Sequence, residues 1–203
     1  MRIHTLATVA ALALTAAACG GGNSTAQNEL AAEANLAADP ALNAALGADP
    51  AAGNQMTPAA APTDAAGFAT AVAASDMFEI ESGRLAQNKG TSADVKTFGS
   101  QLVADHTKST ADLKTAAAKA SPAVTVTPAL DAEKRGMIEQ LQAASGADFD
   151  RLFMQLQGTA HQKTLATLQA YASGGDQQPL KEFARTASTV VEQHMTHVNE
   201  MKN

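Results

Sequence analysis

The sequence predicts an all-α fold: a four-helix bundle whose second and third long helices are joined by a long crossover that carries a short extra helix. Three observations predict it. Apolar residues recur at helical spacing along four separate stretches. Capping and breaking residues bound each stretch. The link between the second and third stretches is far longer than the other two, which are tight turns.

The elements follow in order. Asp64 caps a first helix that runs to about Lys89, where Gly90 stops it. Thr91 or Ser92 caps a second, which ends near Ala120 before Ser121-Pro122. Pro128 opens a shorter helix of about four turns ending near Ala144, and Ser145-Gly146 breaks it. A third long helix spans Ala147 to Tyr171 and stops at Gly174-Gly175; Asp176 starts the fourth. Each long helix has about 25–28 residues, or roughly 40 Å. The stretch 121–146 is long enough to return along the bundle, as in ferritin-like four-helix bundles; an up-and-down bundle with a cap helix is the other arrangement it allows.

Ahead of the helices the chain changes character. Arg2 and His4 precede an apolar stretch from Leu6 to Leu14, then small residues, then Cys19-Gly20. The stretch is too short to span a bilayer, which takes about 20 apolar residues, and fits the apolar region of a leader. The layout predicts a lipoprotein signal peptide over residues 1–18, cleavage before Cys19 and lipid attachment to its sulfur. Ordinary secretion is the alternative. Cys19 is the only cysteine, so no internal disulfide exists and lipidation would consume the thiol. Residues 19–63 read as a disordered Ala/Pro/Asn-rich tether without an aromatic residue. As coil, its reach is about 35–40 Å. Residues 64–203 form the bundle domain. The expected location is the cell envelope, lipid-anchored and facing the periplasm. Gly20 rather than Asp after the cysteine favours the outer membrane where two membranes exist.

Composition narrows the partners. The chain has 14 basic and 20 acidic side chains, a net charge of −6. The basic residues form no stripe, which argues against nucleic acid and against a polybasic grip on lipid. The membrane is expected as a partner through the lipid, with an envelope protein as a further possible partner. All six Phe lie between Phe68 and Phe183, which places the core there.

Each apolar stripe carries one strong polar residue. Phe68, Val72, Ser75, Glu79, Gly83 and Ala86 align on the first helix; Phe98, Leu102, His106 and Leu113 on the second. Met154, His161 and Leu168 align on the third; Phe183, Val191, His194 and Val198 on the fourth. Glu79, His106, His161 and His194 therefore point into one core. One carboxylate and three imidazoles suit a transition metal such as zinc, copper or iron. Asp105 and His197 lie beside this set, and Asp105 is placed to orient the His106 ring as an outer acceptor. Measured from the expected helix ends, the four depths spread over about 9 Å. The competing interpretation is a buried polar network that fixes helix register, with Glu79 accepting from the imidazoles. Met77, Met154, Met195 and Met201 read as gap fillers. Phe149 anchors the acidic turn Asp148-Phe149-Asp150-Arg151.

The runs FEIESGRLAQNKGTSADVKTFGSQLVADHTKS, FDRLFMQLQGTAHQKTLATLQ and VVEQHMTHVNEM resemble the bacterial domain-of-unknown-function 4142 family over about Gly67–Met201. The resemblance implies a ferritin-like fold, frequent export or lipid anchoring, and the polar positions Glu79, His106, His161 and His194. It implies no reaction. Carboxylate di-iron bundles carry Glu-x-x-His on two helices. Here Val103, Gly158 and Val191 precede the three histidines by three residues, which argues against a di-iron centre. No nucleophile arrangement or phosphate loop is evident, so no catalytic residue is assigned. Two functions lead: a non-enzymatic envelope binding or stress-related module, or a metal-binding or redox-protective protein built on the Glu/His set; hydrolytic or acid–base chemistry around His106 and Glu79 is a weaker third, with no substrate pocket in the sequence to support it.

Overall fold

The computed structural model describes residues 61–201. The leader, Cys19 and nearly all of the tether lie outside the described residues. Five helices and no strands make up the described part: α1 Ala65–Lys89, α2 Ala93–Ala118, α3 Ala132–Ala143, α4 Gly146–Gly174 and α5 Gln178–Glu200. None is long and apolar enough to cross a membrane.

The local chemistry explains most boundaries. Asp64 caps α1 by accepting from the Gly67 N–H, and Ser92 caps α2 by accepting from Val95. Asp131, not Pro128, caps α3 by accepting from Lys134, so this helix is three turns rather than four. The residues before it have a different task. Val124 and Val126 pack against the core cluster at one end of the bundle, while Leu130 packs against the cluster at the other. Burial alternates residue by residue from Ala123 to Leu130, the pattern of an extended chain. Extended backbone covers about 3.3 Å per residue against 1.5 Å in a helix. Eight such residues and twelve helical ones together span about the 40 Å length of a long helix.

The long helices pack as α1 on α2, α4 on α5, α1 on α4 and α2 on α5, with α3 laid over α1 and α4. Pairings across the core set their directions. Phe68 stacks on Tyr171, Ser75 bonds Thr164 and Ser82 bonds Gln157, so α1 and α4 are antiparallel. Phe98 lies beside His197 and Asp105 bonds His194, so α2 and α5 are antiparallel too. Asp76 meets His106 and Gly83 meets Gly99, which makes α1 and α2 antiparallel. Consequently α2 and α4 run the same way, and segment 119–145 must return the length of the bundle.

Gly83 and Gly99 let α1 and α2 approach closely. A Cβ on Gly99 would lie 2.7 Å from the Gly83 carbonyl oxygen and 2.7 Å from the Ala86 Cβ. The turn between these helices is tied to the start of α4. Asp150 accepts from the backbone N–H groups of Thr91 (3.0 Å) and Ser92 (2.9 Å) and from the Thr91 hydroxyl. These donors hold its carboxyl below the usual range, against the opposing effect of partial burial. Phe149 beside it is fully buried, as its place in the sequence predicts.

Two apolar clusters fill the interior. One gathers Phe68, Leu113, Leu168, Tyr171, Leu180 and Phe183; the other gathers Phe78, Phe98, Leu102, Leu141, Phe149 and Phe153. Between them lies a layer of buried polar side chains, which is the part of the molecule that packing alone does not explain.

Candidate metal centre

Each long helix contributes to the polar layer from its apolar stripe. Glu79 on α1, His106 on α2, His161 on α4 and His194 on α5 are 1%, 4%, 1% and 0% exposed. One ring nitrogen from each of the three histidines lies within 4.8 Å of the other two. The three imidazoles thus meet closely, where the expected helix ends spread the four residues over about 9 Å.

The hydrogen bonds assign a proton to one side of each ring. His161 Nδ1 stands 2.8 Å from the Gln157 carbonyl oxygen, which can only accept, so Nδ1 carries the hydrogen. His194 Nε2 donates to Asp105 Oδ2 at 2.9 Å. His106 Nδ1 donates to Asp76 Oδ1 at 2.9 Å, and Asp76 Oδ2 accepts from the Thr110 hydroxyl at 3.1 Å. In the neutral rings, the remaining nitrogens are lone pairs: His106 Nε2, His161 Nε2 and His194 Nδ1. The last two face each other at 3.2 Å. His106 Nε2 has no hydrogen-bond partner at all.

Three imidazoles anchored from behind by oxygen acceptors, with free nitrogens converging in front, form a metal-ligand arrangement together with its outer shell. For zinc–nitrogen bonds of 2.0–2.1 Å, tetrahedral geometry places ligand nitrogens about 3.4 Å apart. The His161–His194 pair already has this spacing.

Glu79 takes a different place from the one the sequence suggests. Its Oε1 is 3.8 Å from His161 Nδ1, the anchored side of that ring, and the carboxylate lies outside the three-nitrogen cluster. The closed network in which Glu79 accepts from the imidazoles does not form, because His161 gives its hydrogen to Gln157. Glu79 Oε2 and Gln157 Oε1 are both buried without a partner. Asp105 orients His194 rather than its sequence neighbour His106. Adjacent residues on a helix point about 100° apart, so Asp105 cannot reach behind the next ring. His197 packs with its ring centre 5.0 Å from that of Phe98 and lies outside the hydrogen-bonded set. Asp76 holds His106 and is the residue that the stripe pattern passes over. Its signal in the sequence is a carboxylate three residues before Glu79 inside an otherwise apolar and small run.

Burial sets the electrostatics. It pushes Glu79 up to about 7, opposed by the charge of His106. Burial, then the nearby His106, holds His161 down to about 3. His194 is lowered for the same first reason, with Asp105 opposing. His106 alone is raised: burial works against its charge, but the Asp76 hydrogen bond and the neighbouring carboxylates outweigh it. Of the three rings, His106 is thus the one whose charged form its surroundings favour, while burial disfavours charge on His161 and His194.

Fold and site together define an all-α helical bundle with a buried three-histidine cluster. A family model described as "Domain of unknown function (DUF4142)" matches residues 49–201, and the chain belongs to that family. No curated protein and no solved structure matches it.

Proposed function

We propose that this protein is a transition-metal-binding module of the cell envelope, holding one divalent zinc or copper ion on His106, His161 and His194. One observation carries this reading: one nitrogen from each of three buried rings lies within 4.8 Å of the other two, while Asp76, the Gln157 carbonyl and Asp105 each fix one of the rings. A purely structural network would have been expected to pair its members. Here two lone pairs face each other and three buried polar atoms are left unpartnered. Imidazole ligands without thiolate suit zinc and copper(II). Three protein ligands leave a fourth position open, and Glu79 nearby supplies a carboxyl that can balance the ion's charge.

The leader layout and Cys19 support a lipid anchor, which would hold the acidic bundle a few nanometres from the membrane on its tether. The mature form would carry a net charge of −7 after loss of Arg2. Metal content of the tag-free protein purified from its native envelope tests the metal reading: about one zinc or copper per chain supports it. A metal-free protein whose melting temperature is unmoved by either ion overturns it and leaves the register-fixing network. Labelled palmitate incorporated by the full chain and lost in Cys19→Ser tests the anchor; labelling that persists in the variant contradicts it.

A further inference from the structure

A buried cluster needs an entry path. Two cavities border the polar layer, and they differ in charge. One, of about 70 Å³, lies between α1, α3 and α4; it is lined by Lys134, Lys163 and Glu133 and touches no imidazole. The other, of about 130 Å³, opens between α2 and α5 and reaches a floor supplied by α1 and α4. Its wall includes His106 and three carboxylates, Asp76, Asp105 and Asp112, against a single ammonium, Lys108. That ammonium is tied to Asp112 by an ion pair one helical turn along α2. At about 10–15 Å³ per water on this measure, the volume holds roughly ten waters, enough for a cation with a partial hydration shell.

Asp105 links this cavity to the cluster. Its side chain is 37% exposed, while its Oδ2 holds His194 Nε2 at 2.9 Å. His106 forms both a wall of the cavity and a member of the cluster. The ring whose front nitrogen lacks a partner is thus the one that separates cavity from cluster. We propose that the cavity between α2 and α5 is the passage by which a divalent cation enters and leaves the three-histidine cluster, with Asp105 and Asp112 drawing the cation in and the His106 ring as the inner gate. This inference rests on the metal-binding reading above. Charge favours the α2/α5 cavity: three carboxylates against one ammonium line it, whereas two ammoniums against one carboxylate line the other.

Stopped-flow binding of zinc(II) ion to the full chain, with release followed by a chromophoric chelator, tests the passage. Ala187 and Thr186 line the cavity on α5, away from the cluster. Ala187→Phe is expected to slow association and dissociation together by at least tenfold while leaving the equilibrium Kd within about threefold. Thr186→Phe, at an exposed position, gives the same pattern more weakly and decides the matter if Ala187→Phe proves poorly folded by circular dichroism. Lys108→Ala frees Asp112 and is expected to speed association several-fold at low salt, with the gain lost at high salt. Wild-type rates in both phenylalanine variants overturn the passage while leaving the metal site standing. Absence of zinc binding at equilibrium in the unmodified protein instead overturns the metal reading, and the passage with it.

Discussion

His161 Nε2 and His194 Nδ1 face each other at 3.2 Å, each a lone pair because the opposite nitrogen of its ring has given its hydrogen to an oxygen. Two acceptors at hydrogen-bond distance repel unless something positive lies between or beside them. The nearest source of positive charge is the His106 ring, centred 5.9 Å from His161 and 5.4 Å from His194, whose charged form its surroundings favour. A metal ion would supply it better, since it can bond all three nitrogens at once.

The acceptors behind the rings should then control affinity without controlling the fold. Asp105→Asn and Asp76→Asn are each expected to weaken zinc or copper binding about 10–100-fold. Asp105 is part-exposed, so its variant should keep the wild-type helicity and lose little stability. Competition titration against a chelator of known affinity measures this. Unchanged affinity in Asp105→Asn would show that His194 does not need its outer partner to bind.

Stability of the metal-free protein should depend on pH with a maximum near about 6.5. The signs follow from the shifts. His161 is held at about 3 against 6.5 unfolded, so the unfolded chain binds the extra proton in that window and stability is lost as pH falls through it. His194, also lowered, has the same sign. Glu79 is raised from 4.5 to about 7, so the folded state holds the extra proton and stability falls as pH rises between those values. His106 is raised; its contribution is present below 6.5 and lost as pH rises through its folded value. Below 6.5 the two lowered histidines outweigh Glu79, and above it Glu79 and His106 both remove stability. Calorimetric melting in chelator from about pH 4.5 to about pH 9 checks the profile. Glu79→Gln should flatten the alkaline limb, gaining up to about 3 kcal/mol near pH 8. A steady rise of melting temperature up to pH 9 would contradict this.

The close approach of α1 and α2 gives a prediction independent of the metal. Gly99→Ala adds a methyl 2.7 Å from the Gly83 carbonyl oxygen, where backbone cannot yield cheaply. Helix propensity favours alanine by about 1 kcal/mol, but overpacking should win and leave a net loss of about 1–3 kcal/mol. Urea denaturation measures it; a stabilised Gly99→Ala protein would show that the two helices can move apart freely.

Asp150 ties α4 to the α1–α2 turn through three donors, so Asp150→Ala should cost about 1–3 kcal/mol. Faster amide exchange at Thr91 and Ser92 should accompany the loss. Unchanged exchange there would place the cap's effect elsewhere.

How far the sequence reached depends on the range of the interaction concerned. The caps Asp64 and Ser92 act within three residues, and the stripes repeat every three or four, so both were legible. Those stripes identified all three clustered histidines. What lay beyond reach was set by pairing between helices. Asp150 finds its donors some 59 residues away, and nothing local marks it as more than an acidic first turn. Asp105 looked like the partner of His106 because they adjoin, yet its helix direction sends it to His194. Pro128 looked like a helix start, but the crossover must travel the bundle's length, and extended backbone covers that distance in fewer residues. Asp76 lies just off the line of Ser75 and Glu79, and only the packing of α1 on α2 makes it the anchor of His106.

The most direct test of the metal centre is an equilibrium titration of the tag-free, chelator-stripped full chain with zinc(II) ion by calorimetry. The account predicts one site per chain, with affinity reduced at least about 100-fold in both His161→Ala and His194→Ala. At 100 times its Kd, the ion should add about 2.7 kcal/mol of stability. Saturation at one equivalent that persists in both alanine variants, or no binding of zinc or copper(II) by the unmodified chain, would contradict it.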